Sequence, residues 1–240
     1  MGEINSFSAA FVKLPQSITA INVSSKGLYI KHLCKLLVYT IITYRIFSVN
    51  PFCYNIKSEK KKGGYFNVKK IDCFFSRANE NYFNGTLKTL EVGNTEVAAE
   101  IIRELTGADI FKIEQTKPYS KGYNDCIAEA KADKQRNARP ELKSYPDSLD
   151  GYDVIYLGYP NYWSTAPMAV FTCLEHFDLT GKTIKPFCTH EGSGLGVSVS
   201  DIKRICPDST VENGLAIRGS SVIKSKKEIS KWIDKTAKTQ

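Results

Sequence analysis

The sequence predicts an α/β protein with a doubly wound, five-stranded parallel sheet and helices on both of its faces. Three observations lead to this prediction. Short runs rich in β-branched and aromatic residues recur along the chain, bounded by Gly or Pro. Segments with apolar residues at helical spacing separate these runs. The 240 residues are 42% hydrophobic and 24% charged, which is typical of a soluble globular domain.

Five strands and five helices are expected in the second part of the chain. Asn94 begins the first helix as a cap, and Gly107 ends it. Asp72 is out of place in the first strand, because a buried and unpaired carboxylate is costly. We therefore expect either that Asp72 lies at the edge of that strand, paired with Lys69 or Lys70, or that this segment is locally damaged or mistranslated. The predicted strands cover residues 68–75, 108–113, 154–157, 183–189 and 210–217, and the helices lie within 94–106, 119–137, 168–176, 197–205 and 226–235.

Residues 1–65 differ in composition from the rest and are interpreted as an N-terminal extension of a domain formed by residues 66–240. The extension has nine basic and two acidic residues, whereas the remainder has 24 basic and 23 acidic ones. Its most apolar stretch, residues 36–49, is shorter than the roughly 20 residues that span a membrane. We expect a poorly ordered leader or a misassigned start of translation, with membrane contact through residues 31–62 as the weaker alternative.

Composition also excludes several classes of function. The nearly neutral domain lacks the clustered positive charge that nucleic-acid binding requires, so no nucleic-acid partner is expected. Seven cysteines without a CxxC pair indicate reduced thiols in a cytoplasmic protein rather than a disulfide framework. His32, His176 and His190 are too scattered to predict a metal site.

Residues with chemical potential follow three of the predicted strands. The helix start at 93–95 offers free backbone N–H groups and a positive dipole end, which accept phosphate. The loop 158–167 presents Tyr162 and Trp163, and the loop 189–196 has three glycines that let the backbone approach a ligand. In a parallel sheet these loops meet at the carboxyl ends of the strands. A phosphate cradle beside two ring-holding loops suits a mononucleotide with a large flat base.

Four segments resemble the flavodoxin family, and especially its small bacterial flavodoxin-like branch, within residues 66–240. They are FFSRA (74–78), GNTEVAAEII (93–102), GYPNYWSTAP (158–167) and CTHEGSGLG (188–196). The resemblance implies a three-layer α/β/α fold with strand order 2-1-3-4-5 and FMN at the switch point. It also implies a phosphate site of Ser76, Arg77, Asn94 and Thr95, and two loops against the isoalloxazine ring, namely Pro160, Asn161, Tyr162 and Trp163, and Thr189, His190, Glu191, Gly192, Ser193 and Gly194.

The chain departs from the family pattern after its first strand, where family members have a compact phosphate loop. Here residues 79–93 interrupt that loop. Either Ser76 and Asn94 fold back together, or only one of them touches phosphate. The insert carries Tyr82 and Phe83, which either cover the flavin or a substrate or pack the insert onto the domain.

The function expected from the resemblance is electron transfer by an FMN-binding protein, with a redox partner protein or a small-molecule acceptor. The flavin carries out the redox chemistry, so no catalytic side chain is assigned. The alternative is an FMN-dependent NAD(P)H quinone or nitro-compound oxidoreductase. A third hypothesis is a flavodoxin-fold binding module that has lost its flavin.

Overall fold

The computed structural model describes residues 68–236, so the predictions for residues 1–65 lie outside the described range. The strands are β1 (Lys70–Phe75), β2 (Asn79–Phe83), β3 (Thr86–Leu90), β4 (Asp109–Ile113), β5 (Val154–Pro160), β6 (Thr183–His190), β7 (Thr210–Val211) and β8 (Leu215–Arg218). The helices are α1 (Asn94–Thr106), α2 (Tyr123–Gln135), α3 (Met168–Glu175), α4 (Ser198–Ile205) and α5 (Lys226–Thr236), and a 3₁₀ helix covers Gly219–Lys224.

The central sheet has the order β4-β1-β5-β6-β7, and β8 also pairs with β6. Its pairings are all parallel. The predicted doubly wound fold is confirmed, and the order agrees with 2-1-3-4-5 once β7 and β8 together count as the fifth strand. The chain leaves the sheet between these two short strands, where the Trp232 indole N–H donates to the Asn213 carbonyl at 3.3 Å.

Side chains that alternate along the strands build one hydrophobic core on each face of the sheet. On β1, Cys73 belongs to the core under α3 and α4, whereas Phe74 belongs to the core under α1 and α5. Tyr156 and Leu157 divide in the same way on β5. The sheet is therefore covered on both faces, and its carboxyl edge is where loops and helix starts gather.

Asp72 contradicts the prediction that placed it at a strand edge. It lies in the middle of β1, between Ile110 on β4 and Tyr156 on β5, and has no exposed surface. Neither carboxyl oxygen has a hydrogen-bond partner within residues 68–236. Burial first, and the charge of Glu100 second, raise the pKa of Asp72 well above its ordinary value. The expected pairing with a neighbouring lysine is wrong because β1 is a central strand and the alternation points Asp72 toward α1.

The segment expected to be a long loop after β1 contains a β-hairpin. Strands β2 and β3 pair antiparallel, with Phe83 opposite Thr86. The two residues between them, Asn84 and Gly85, both have positive φ angles, of 49° and 90°. Positive φ at both central positions defines the type I′ turn, for which Asn-Gly is the preferred sequence.

No helix within residues 68–236 is long and apolar enough to cross a membrane. The same part of the chain has no group of three or more His, Cys, Asp or Glu side chains arranged to hold a metal ion. Its five cysteines are all free and buried.

Candidate functional site

A cavity of about 320 Å³ lies where the carboxyl ends of β1, β5 and β6 meet. It is at the switch point of the sheet, because the connections from β1 and β5 run to opposite faces. Twelve of the fourteen predicted site residues line it: Ser76, Arg77, Asn94, Thr95, Pro160, Asn161, Tyr162, Thr189, His190, Glu191, Gly192 and Ser193. Trp163 and Gly194 do not line this cavity, although both lie in the same loops.

The start of α1 folds against the end of β1. The Ser76 Oγ accepts a hydrogen bond from the Glu96 N–H at 3.1 Å, so Ser76 caps the helix from a distance in sequence. A Cβ atom at Gly93 would lie only 2.3 Å from this oxygen, which explains the glycine. Ser76 and the start of α1 at Asn94 therefore fold back together, which was the first of the two alternatives considered for the interrupted phosphate loop. The insert between them contains the separate β2–β3 hairpin.

Capping leaves donors at this helix start for a ligand. The Glu96 and Val97 N–H groups both reach the Gly93 carbonyl. The N–H groups of Asn94 and Thr95, and the Asn94 side-chain amide, make no hydrogen bond to residues 68–236. Such unsatisfied groups at the positive end of a helix dipole form a site for an anion.

Two buried threonines join this helix start to the end of β6. The hydroxyl oxygens of Thr95 and Thr189 are 2.7 Å apart, and either one can donate. Their exposed fractions are only 2% and 5%. This bond fixes the floor of the cavity between two of the three segments that form it.

Arg77 uses most of its donors on backbone carbonyls. Its guanidinium donates to the carbonyls of Ser120, Lys121 and Gly122 and to that of Glu80. The Arg77 side chain therefore holds the hairpin against the loop before α2. The contact of Arg77 with phosphate stays a prediction. The free donors at the start of α1, which are the N–H groups of Asn94 and Thr95 and the Asn94 side-chain amide, are neutral.

Asn161 connects the loop after β5 to the loop after β6. Its Nδ2 donates to the Gly194 carbonyl at 2.7 Å, and its backbone N–H donates to the Thr189 carbonyl at 2.8 Å. Its Oδ1 accepts from the Ser164 N–H at 2.9 Å. The two predicted ring-holding loops are thus fixed to each other, and Gly194 contributes through its carbonyl.

Tyr162 is half-buried and packs against other aromatic rings. Its ring centroid lies 6.3 Å from that of Phe75 and 6.0 Å from that of Tyr119. Its hydroxyl oxygen is 3.6 Å from the Cys126 sulfur. Burial raises the pKa of Tyr162 well above its ordinary value, so the hydroxyl stays neutral. One part of this side chain lines the cavity, and the rest belongs to the core.

Trp163 lies beside the first cavity and lines an adjoining one of about 330 Å³. Its indole N–H donates to the Ile127 carbonyl at 2.8 Å, and Lys131 Nζ lies 5.0 Å from the ring centroid. Its φ angle is +54°, which is unfavourable for a bulky residue and needs support from its surroundings. The residue is 42% exposed, so its ring is an aromatic surface that is held in place and remains accessible.

The adjoining cavity shares part of its wall with the first. Four residues line both: Tyr123, Asn161, Tyr162 and Ser193. The adjoining cavity adds apolar groups from α2, which are Ile127 and Ala130. The site therefore runs from a polar helix start to an apolar aromatic surface.

His190 and Glu191 order the loop after β6. The Nδ1 of His190 accepts from the Gly192 N–H at 2.9 Å, so a neutral ring carries its proton on Nε2. Burial lowers the pKa of His190, which favours that neutral form. The Glu191 carboxylate accepts from the Ser220 N–H at 2.6 Å and from the Asn84 N–H at 3.3 Å.

Three further residues line the first cavity: Asn81, Tyr82 and Tyr123. Tyr82 was considered from the sequence as a cover for the site, whereas Asn81 and Tyr123 were not identified. The Asn84-Gly85 turn could have located the hairpin, and the alternation along β2 would then have separated Tyr82 from Phe83. No pattern in the sequence distinguishes Tyr123.

Comparisons with known proteins agree with this geometry. Residues 88–236 match the flavodoxin family model, and the chain belongs to that family. The fold is similar to a provisionally assigned flavoprotein from Bacteroides uniformis ATCC 8492, with 26% identity and a TM-score of 0.56 over 70% of this chain and 98% of that chain. A second such flavoprotein, from Bacteroides eggerthii DSM 20697, has 27% identity and a TM-score of 0.54 over 68% and 99%. None of the curated proteins compared with the chain matches it significantly.

Proposed function

We propose that this protein binds FMN at the carboxyl edge of its sheet and transfers electrons to a redox partner or acceptor. FMN is the cofactor of the flavodoxin family, to which the chain belongs. The observation that carries the proposal is the single cavity in which the loops after β1, β5 and β6 converge. Each of these loops was expected from the sequence to contact one part of a flavin mononucleotide.

The residues at the polar end of the cavity fit a phosphate group. The Asn94 amide and the N–H groups of Asn94 and Thr95 are free donors at a helix start. The Ser76 hydroxyl oxygen accepts a hydrogen bond from the Glu96 N–H, and the hydroxyl hydrogen is left to donate to a ligand. These donors are neutral, so they would hold the phosphate through hydrogen bonds and the helix dipole.

The residues at the other end fit a flat ring. The loop that contains Asn161, Tyr162 and Trp163 forms one side, and residues 189–194 form the other. FMN supplies the capacity to store electrons, and the protein binds and orients it and excludes water. Neutral His190 holds a proton on Nε2 at the edge of this region.

A second candidate function is an FMN-dependent NAD(P)H quinone or nitro-compound oxidoreductase. The adjoining cavity supports it, because Ile127 and Ala130 give it an apolar wall beside the loop assigned to the flavin, with space for a second planar molecule. Turnover of NADPH with a quinone by the flavin-loaded protein tests it. No turnover would leave the electron carrier as the function.

Titration of the flavin-free protein with FMN and with riboflavin tests the principal proposal. Flavin fluorescence and visible absorption report binding of either ligand. We expect FMN to bind at least about a hundredfold more tightly, since charge-assisted hydrogen bonds to the phosphate each contribute roughly 1.5–3 kcal/mol. Equal affinity would contradict the phosphate site, and binding of neither ligand would leave the flavin-free binding module.

A further inference from the structure

The hairpin β2–β3 crosses the carboxyl edge of the sheet above the cavity. Near its base, the Glu80 N–H donates to the Lys121 carbonyl at 3.3 Å, in the loop that follows β4. Near its tip, the Asn84 N–H donates to the Glu191 carboxylate at 3.3 Å, in the loop that follows β6. In the sheet, β1 and β5 lie between β4 and β6, so the two attachments are three strand spacings, or about 14 Å, apart. Glu80 and Asn84 are four residues apart, and four extended residues span about 13–14 Å, which matches this crossing.

The base of the hairpin is held much more firmly than its tip. The Arg77 guanidinium joins the Glu80 carbonyl to the loop before α2. The Glu80 carboxylate accepts from the Tyr123 N–H at 2.9 Å, at the start of α2. The tip has the single bond from Asn84, which is exposed. The hairpin is therefore anchored at its base and bonded once at its tip, and it forms a bar over the site.

Two tyrosines face the cavity beneath this bar. The ring centroids of Tyr82 and Tyr123 are 6.2 Å apart, with an angle of 32° between the rings. Both line the first cavity, and Tyr123 also lines the adjoining one. Phe83, the next residue on β2, lines neither cavity and lies under Lys88, whose Nζ is 4.9 Å from its ring centroid. Only one of the two hairpin aromatics is thus placed to contact a ligand.

We propose that Tyr82 and the hairpin select small planar acceptors of the quinone class and exclude protein acceptors from the flavin. A bar across the cavity blocks the flat protein surface that a direct electron-transfer complex needs. Tyr82 and Tyr123 border the first cavity with ring centroids 6.2 Å apart, and aromatic faces such as these attract a planar ring of one or two fused cycles. This inference rests on the proposed function, because the electrons come from the bound flavin.

The reaction that follows is a balanced two-electron reduction. The two carbonyl oxygens of the quinone become hydroxyl groups: one hydrogen would leave N5 of the anionic reduced flavin with the electron pair, and one proton would come from water. The two electrons come from reduced FMN, which returns to its oxidised form. A nicotinamide or another two-electron donor would reduce the flavin again in the cell. Dithionite is the reductant in the experiment below.

Stopped-flow mixing of the dithionite-reduced, FMN-loaded full chain with benzoquinone, or with ferricytochrome c as a protein acceptor, tests the proposal. The wild type should show saturation with benzoquinone and should reduce cytochrome c at least about tenfold more slowly. Tyr82→Ala should raise the half-saturating quinone concentration about tenfold, the scale of one lost aromatic contact. The same variant should speed reduction of cytochrome c by opening the site.

Two further variants separate contact with the acceptor from a general effect on the hairpin. Tyr82→Phe keeps the ring and should behave as the wild type. Phe83→Ala removes a neighbouring aromatic that faces away from the cavity and should also leave the quinone kinetics unchanged. The FMN dissociation constant is measured separately for each variant, and the quinone kinetics are compared at flavin concentrations that saturate each protein.

Several outcomes would overturn the inference. Wild-type protein that reduces cytochrome c as fast as benzoquinone would show that the hairpin excludes nothing. A half-saturating quinone concentration that does not change in Tyr82→Ala, or that changes equally in Phe83→Ala, would remove Tyr82 as the selecting residue. Failure of the wild type to take up FMN at all would instead overturn the proposed function, and this inference with it.

Discussion

Replacing Asp72 with Asn should raise the free energy of unfolding at neutral pH. This gain over the wild type should become smaller as the pH is lowered. The Asp72 carboxyl group is completely buried, and neither oxygen has a hydrogen-bond partner within residues 68–236. Burial disfavours the charged form and raises the pKa of this group in the folded protein. In the unfolded chain the same group is in water and ionises at its ordinary pKa of about 3.9.

The size of the effect follows from these two pKa values. At a pH between the pKa of Asp72 in the unfolded chain and its higher pKa in the folded protein, the folded protein holds one more proton than the unfolded chain. Raising the pH in this range therefore favours unfolding. The free energy of unfolding then falls by about 1.4 kcal/mol for each pH unit above about pH 4, until the pKa of the folded state is reached. Asn cannot ionise, so the advantage of Asp72→Asn over the wild type should grow with this slope and be constant below about pH 4.

Urea unfolding of the two full-length proteins, followed by circular dichroism between about pH 4 and pH 7, measures this difference directly. Asp147→Asn, which changes an exposed carboxyl group, is the matched control and should show no such growth. A difference between Asp72→Asn and the wild type that does not vary with pH would refute the reasoning. It would mean that Asp72 has a partner that keeps it charged in the folded state.

Three other substitutions test the site. Trp163→Ala should weaken FMN binding by about 1–3 kcal/mol, measured by flavin fluorescence, and unchanged affinity would remove Trp163 from the site. Arg77→Lys keeps the charge but loses the planar fork, so the free energy of unfolding in urea should fall by about 2 kcal/mol; weaker FMN binding at full stability would contradict this structural role. Gly93→Ala places a Cβ 2.3 Å from the Ser76 Oγ and should abolish FMN uptake. The control Gly122→Ala, whose Cβ meets nothing closer than 3.6 Å, should keep it.

The sheet could be predicted because its strands are buried on both faces and therefore have continuous apolar runs. The residues at the ends of these strands, such as Asn94 and Asn161, could be placed because parallel strands bring their carboxyl ends to one edge. The β2–β3 hairpin was missed although its sequence contains Asn84-Gly85, a strong hairpin signal. The polar residues around this turn favoured the interpretation as a loop.

Other features depend on contacts that sequence proximity does not reveal. Arg77 bonds to carbonyls 43 to 45 residues away, so nothing near it indicates that its donors are already used. Asp72 was placed at an edge because burial without a partner is costly, and the fold nevertheless puts it in a central strand. Trp163 was expected to contact the same flavin ring as Tyr162, but its indole N–H donates to the Ile127 carbonyl of α2, and its ring lines the adjoining cavity rather than the first one.

The two tryptophans of the chain offer the most direct test of where FMN binds. Trp163 lies beside the cavity, whereas Trp232 is packed in the core under α1 and α5, against Tyr156 and Phe187. Each indole N–H gives one peak in a proton–nitrogen correlation spectrum, and Trp163→Phe assigns the pair. On addition of FMN to the flavin-free protein, the Trp163 peak should shift and the Trp232 peak should stay in place. A shift of the Trp232 peak alone, or no shift of either, would contradict a flavin site at the carboxyl edge of the sheet.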